Sequence, residues 1–273
     1  MRPTGSDRPR ILMCAPDHYG VDYVINPWMA AHVGGINHAR ALSQWLNLRD
    51  LLAPLADLKF VAPHPGLPDM VFTANAGLVS TGKVILSRFH FGERRDEEGF
   101  FREWFEAHEF SIAPWPEDVS FEGAGDALAD QGEEIIWCGF GFRSSEKAAA
   151  LVGEIFGRET VALRLVDARF YHLDTCFCPL SGGQLMYFPP AFDDQSRKKI
   201  EEIVGPKKRL EVAADDALNF SCNAVEIAGH VFMNAASGDL QNRLRAMGYA
   251  PALTPLTEFL KAGGAAKCLT LRL

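Results

Sequence analysis

Five times along the chain, an amphipathic helix-like segment is followed by a short strand-like run and then by a hairpin signal. Apolar residues recur with the helical period in 37–52 (Ala41, Leu42, Trp45, Leu46), 95–108 (Phe100, Phe101, Trp104, Phe105), 146–157 (Leu151, Val152, Ile155, Phe156), 193–204 (Ile200, Ile203, Val204) and 237–248 (Leu240, Leu244, Met247). The strand-like runs are 58–62, 110–113, 161–166, 209–213 and 251–256. Four hairpins follow, 77–80 with 83–87, 126–129 with 134–139, 175–179 with 184–188 and 224–227 with 230–234, with Gly, Ser or Asp between the arms. The fifth unit has one arm, 268–273, and the orphan strand 10–15 is its obvious partner. Pairing the two closes a ring. A period of about 50 residues in constant element order therefore predicts five stacked α/β units in one domain. An ordinary α/β sandwich with five helices is the alternative. With no linker-like stretch, a single domain is expected over 1–273, residues 1–9 forming a tail.

The charge balance narrows the function. Twenty-seven Lys and Arg face 35 Asp and Glu, a net charge of −8. Nucleic-acid binding needs a basic footprint, and electrostatic membrane attachment needs basic clusters. Neither partner is expected. No apolar run approaches the roughly 18 residues of a membrane span, and the polar start MRPTGSDRPR lacks the apolar core of a secretory signal. Six cysteines, at 14, 138, 176, 178, 222 and 268, are not spaced as a disulfide scaffold. The expectation is a cytoplasmic protein with reduced thiols. Cys176 and Cys178, two apart on a strand, share a face and read as packing, so no metal is predicted. Monomer and homo-oligomer are both left open.

Polar residues gather where each hairpin begins: PDMVFTANAG at 68–77, FEGAGDAL at 121–128, FYHLDTCF at 170–177, NFSCNAVEI at 219–227 and GGAAKCLTL at 263–271. Around a fivefold axis these strand ends converge, bringing together Asn75, Glu122 or Asp126, His172 with Asp174, Asn223 and Cys268. Taken singly, Asn75, Asp126 and Asn223 suit turns, His172 suits a satisfied core, and Cys268 suits an apolar thiol. Together they form a nucleophile, an imidazole and several carboxylates. Carboxylates beside a thiol disfavour the thiolate, so the set makes sense for a substrate that brings its own positive charge.

These residues resemble the guanidine-modifying enzymes of the pentein superfamily: arginine deiminases, dimethylarginine dimethylaminohydrolases, amidinotransferases and arginine dihydrolases. The motifs are Pro68-Asp69-x-Val71-Phe72, Glu122-Gly-x-Gly-Asp126, His172-Leu173-Asp174-Thr175, and Gly263-Gly264 followed by Cys268. The resemblance runs from about residue 10 to 273 and implies a five-bladed, pseudo-symmetric α/β propeller. It implies Cys268 as nucleophile, His172 as general acid and base, and Glu122, Asp126 and Asp174 lining the guanidinium site. Many deiminases read Phe-Thr-Arg-Asp where this chain reads Phe72-Thr73-Ala74-Asn75, and the Glu122–Asp126 loop is one residue longer than the common Glu-Gly-Gly-Asp. Both features are most similar to arginine dihydrolases, which convert arginine to ornithine, carbon dioxide and ammonia without a cofactor.

The carboxylate of such a substrate needs a cation. Arg88, Arg94 and Arg95 lie together in SRFHFGERR, and the resemblance favours Arg94; Asn26 is a further candidate for the amino-acid end. Asp174, two residues after His172, would share its face on a strand, so it either orients the imidazole or grips substrate. A deiminase or dimethylarginine hydrolase giving citrulline, an amidinotransferase, and a non-catalytic binder are the alternatives. The last has no need of Cys268 with His172.

Overall fold

The computed structural model describes residues 8–129 and 135–273. Residues 1–7 of the expected tail and Glu134 of the second hairpin lie outside them. Residues 8 and 9 are anchored: Arg8 donates to the carbonyls of Ala53 and Ala56, and Asp57 N donates to Pro9 O.

Five three-stranded sheets are present among the described residues, and each has the same construction. A hairpin of two antiparallel strands is followed by a helix that returns the chain to a third strand, parallel to the second. The first blade comprises Gly77–Ser80, Lys83–Leu86 and Ser111–Ile112, with helix Glu97–Ala107 in the crossover. The second comprises Ala127–Ala129, Ile135–Phe140 and Glu159–Arg164, with helix Lys147–Phe156. The third comprises Phe177–Leu180, Gln184–Tyr187 and Arg209–Glu211, with helix Asp194–Ile203. The fourth comprises Val225–Ile227, His230–Met233 and Ala250–Leu253, with helix Gly238–Ala246. The fifth joins the two ends of the chain. Leu271–Arg272 pairs antiparallel with Arg10–Cys14, which pairs parallel with Asp57–Val61 across helix His38–Leu52.

The helix starts follow from local chemistry. The side chains of Asn37, Asp193 and Ser237 accept hydrogen bonds from the backbone N–H of Arg40, Ser196 and Leu240, three residues on. Each satisfies a donor that the first helical turn leaves unpaired. The apolar faces then pack on the sheets: Trp104 and Phe105 on Phe110, Ile200 and Leu210 in the third blade, and Leu240 and Leu244 in the fourth.

The first strands of all five blades border one axial cavity. Immediately before three of these strands the chain makes a 3-10 turn, at Thr73–Ala76, Gly123–Gly125 and Leu173–Thr175. In the fourth blade, Asn223 N donates to Phe220 O in a turn of the same span. These turns, rather than strand residues, carry the polar groups, so the alternation of a strand does not govern where they point.

Candidate active site

Cys268, His172, Glu122, Asp174, Asn223 and Asn75 are all buried at the inner ends of the blades. Two hydrogen-bonded groups are resolved within this cluster. In one, His172 Nε2 lies 2.7 Å from Glu122 Oε2, and Arg143 Nη1 donates to the same oxygen at 3.0 Å. Glu122 Oε1 accepts from His90 N at 3.1 Å. Burial opposes the Glu122 charge, but Arg143 and His172 outweigh it and hold this carboxyl well below the ordinary range.

The second group is the nucleophile candidate. Cys268 Sγ lies 3.0 Å from Asn223 Nδ2 and 3.3 Å from Asp174 Oδ2. Asn223 Oδ1 accepts from the N–H of both Ala265 and Cys268, which fixes the turn that presents the thiol. Burial and the neighbouring Asp174 push the Cys268 thiol well above its usual range. Burial also pushes Asp174 up to about 6, against the pull of Lys267. Without substrate, the thiol therefore keeps its proton and shares it with Asp174. The strand argument linking Asp174 to His172 fails: residues 173–175 form a 3-10 turn, which aims the carboxylate at the sulfur.

Asp126 lies close to His172, but both of its oxygens are engaged within the chain. Its Oδ2 accepts from Ser144 Oγ at 2.6 Å and its Oδ1 from Leu173 N at 3.0 Å, so it braces the turn that carries His172 and Asp174. Burial raises it to about 6. The loop leading to it requires its glycines. Gly123 has φ +60° and approaches the backbone of Gly77, and a Cβ on Gly125 would lie 2.3 Å from Asn75 Nδ2.

Arg94 is at the site but heavily engaged. Nε and Nη2 grip Glu97 at 2.8 and 2.7 Å, Nη2 also donates to Asp69 O, and Nη1 donates to Asn75 Oδ1 at 2.9 Å. Asn75 Nδ2 in turn donates to Glu122 O at 3.0 Å. Asn75 thus bridges the Arg94 region and the Glu122 loop. Of the other arginines, Arg88 pairs with Glu98 on the outer side and Arg95 is exposed. Asn26 lines the pocket, but its amide is spent on the chain itself, donating to Ala262 O and accepting from Trp28 N and Met29 N.

Arg143 escaped the sequence reading. Its guanidinium lies between the rings of Phe91 and Tyr171, 4.8 and 4.6 Å from their centroids, and Nη2 donates to Ile25 O. A signal was available: it follows the second hairpin much as Arg94 follows the first. Asp69 belongs to the Pro68–Phe72 motif, which by itself assigns it no role. It is 1% exposed and lines the pocket; Tyr23 donates to Oδ2 at 2.9 Å, while Oδ1 has no hydrogen-bond partner.

The six cysteines are free thiols. Cys176 and Cys178 are buried, with carbonyl contacts to Leu173 and Ala224. Among the described residues, no His, Cys, Asp and Glu group is arranged to hold a metal, and no helix is long and apolar enough to cross a membrane.

The same architecture recurs in known proteins. A bifunctional arginine dihydrolase/ornithine cyclodeaminase, ArgZ, of a Synechocystis species is 52% identical over 98% of this chain, which spans 38% of that relative's length. A crystal structure of the N-terminal domain of ArgZ, a mutant bound to substrate, superposes with a TM-score of 0.96 at 52% identity, covering 97% of both chains. An N(G),N(G)-dimethylarginine dimethylaminohydrolase of Mycobacterium tuberculosis is 34% identical over 97% of this chain and 85% of its own. The family model described as N,N dimethylarginine dimethylhydrolase, eukaryotic, matches residues 36–273. With that match over most of its length, on a ring of five blades, the chain belongs to the dimethylarginine dimethylhydrolase family of the pentein superfamily.

Proposed function

We propose that the chain is a cysteine-dependent hydrolase of the guanidinium C–N bonds of arginine, acting as an arginine dihydrolase. The observation that carries this reading is the Cys268 thiol held 3.3 Å from the Asp174 carboxylate, beside a Glu122 that stays ionised. Forming the Cys268 thiolate beside Asp174 adds a negative charge that burial and Asp174 both oppose. A planar guanidinium offsets it, with N–H donors that carboxylates hold through charge-assisted hydrogen bonds. The 52% identity to a dihydrolase domain supports the choice of substrate.

The bound cation favours the thiolate, whose proton passes to Asp174 or His172. Cys268 attacks the guanidinium carbon and the C–S bond forms. His172 protonates the departing nitrogen, one C–N bond breaks, and ammonia leaves a thiouronium. The imidazole, its other side held by Glu122, then takes a proton from water, which attacks and releases the sulfur. Stopping there gives citrulline. A second attack on the ureido carbon expels a second ammonia, and hydrolysis of the resulting thiocarbamate gives a carbamate that loses carbon dioxide. Arginine and two waters thus become ornithine, carbon dioxide and two ammonia.

At the amino-acid end, the donor count favours Arg143 over Arg94 for the carboxylate. Two of the five N–H bonds of Arg143 are used within the protein, whereas Arg94 uses all but one. Asp69 Oδ1 offers an acceptor to the α-ammonium. The pocket between them is only about 10 Å³, so the segment carrying Ile25, Asn26 and Met29 must shift to admit an amino acid. A cytoplasmic setting belongs to this reading too, resting on the free thiols.

The second reading is hydrolysis that ends at citrulline, from arginine or a methylated arginine, favoured by the family match and the 34% relative. One reaction with arginine separates them. Ornithine with two equivalents of ammonia supports the dihydrolase; citrulline with one equivalent overturns it.

A further inference from the structure

Away from the site, the ring encloses an axial cavity of about 370 Å³. Its walls are largely apolar, with Leu78, Leu128, Phe177, Val225 and Leu271 contributed by the five blades. Lys267, the residue before Cys268, lines it and is partly exposed to it. The ammonium donates to Ala124 O at 3.2 Å, and Ala124 sits within the loop that carries Glu122 and Asp126. The backbone of Lys267 donates to Asn223 O, and Asn223 holds the sulfur. One residue therefore connects the nucleophile turn, the acid–base loop and the asparagine that orients the thiol.

A lysine of purely structural use would be expected to lie along the wall with its ammonium in water. This one turns inward, to a neutral carbonyl behind the reacting groups. The groups facing it are Asp174, Cys268 and Cys178, with Glu226 and Arg272 on the cavity wall and Asp126 at the end of the loop it holds. Burial works against its charge, and Asp174 and Cys268 work for it.

We infer that Lys267 is a positioning residue for the Cys268 chemistry. Its ammonium ties the Glu122–Asp126 loop to the nucleophile turn and places a positive charge behind the Asp174–Cys268 pair. This rests on the proposed role of Cys268 as nucleophile. Losing the charge favours the protonated forms of both Asp174 and Cys268, so thiolate chemistry moves to higher pH.

Lys267→Met removes the charge at similar volume; Lys267→Gln removes it but keeps a donor toward Ala124 O, and serves if the Met variant fails to fold. Two readouts are compared with the parent chain. The first is the pH profile of iodoacetamide alkylation at Cys268, followed by peptide mass without substrate. The second is the pH profile of kcat/KM with arginine. The expected result is an alkylation profile displaced upward by about one pH unit, which is tenfold slower labelling at a fixed pH on its rising limb. A tenfold or larger fall in kcat with little change in KM accompanies it, and Lys267→Arg restores part of both. A folded neutral variant with the parental alkylation profile overturns the inference. A parent chain inert toward arginine overturns the proposed function instead, and the alkylation profile still decides on Lys267.

Discussion

The two hydrogen-bonded groups at the site handle charge in opposite ways. Around Glu122, a permanent cation is built in: Arg143 and His172 share one carboxylate oxygen, and the carboxylate stays ionised in a fully buried place. Around Cys268, a thiol faces a carboxylate whose proton affinity burial has raised, and the nearby lysine is itself weakened by burial. The first group carries its cation within the chain; on the proposed function, the second receives its cation from the substrate. The difference teaches how an acidic pocket can carry a thiol nucleophile. On the proposed function, the thiolate is disfavoured until a cation occupies the site, so near neutral pH the sulfur reacts only slowly before the substrate is bound.

The comparison can be broken most decisively at sulfur. Cys268→Ser is expected to bring turnover to background while leaving the fold and the carboxylates in place, because a hydroxyl is a far weaker nucleophile near neutral pH. Calorimetric titration should still show arginine binding; a folded Ser variant that turns over arginine at a substantial rate removes Cys268 from its role. Arg143→Ala attacks the other group. It leaves Glu122, 0% exposed, without its cation, and breaking a buried pair in this way costs about 3–5 kcal/mol. Urea unfolding measures this, and an unchanged midpoint would show that Glu122 does not depend on Arg143.

The pH response sharpens the contrast because activity and stability should move in opposite directions. Asp174, near 6, must be ionised to accept the thiol proton, so kcat/KM should fall as pH drops through about 6. The raised carboxyls Asp126 and Asp174, and Glu97 near 7, contribute stability below the ordinary carboxylate range that is lost as pH rises through their folded values. Glu122 has the opposite sign, but its contribution is lost only below the ordinary glutamate range, outside this window. The melting temperature should therefore climb from pH 7 to pH 5 while activity declines. A parallel fall in both would mean that these carboxylates are not held protonated.

A smaller effect is expected at the bridge between the two ends of the pocket. Asn75→Asp exchanges a group that donates to Glu122 O and accepts from Arg94 for one that only accepts. An aspartate suits a guanidinium better than a neutral ureido group, so product should shift from ornithine toward citrulline. Chromatography of both amino acids from one reaction reads the ratio, and an unchanged ratio at comparable rate rules Asn75 out as the switch. The smallest effects on chemistry are expected at Cys14, Cys138, Cys176, Cys178 and Cys222, each of them buried. Replacement by Ala costs about 1–3 kcal/mol of packing, with turnover per folded molecule preserved.

The blade count, the helix starts and the closure of the ring could be read from the chain because they depend on local pattern. Apolar period, cap residues and turn residues act over a few positions, and Asn37, Asp193 and Ser237 cap the helices that begin beside them. That Cys268, His172 and Glu122 lie at equivalent ends of their blades was legible for the same reason: a repeat sets the same position in each unit. Three-dimensional packing alone decided which partner each polar group took. Strand alternation would have put Asp174 with His172, but a 3-10 turn sends it to Cys268. Asp126 is spent on Ser144 and Leu173, and Arg143 arrives from beyond its hairpin to hold Glu122. Hydrogen bonds of about 3 Å depend on side-chain direction and on neighbours distant in sequence, neither of which a residue's local pattern encodes.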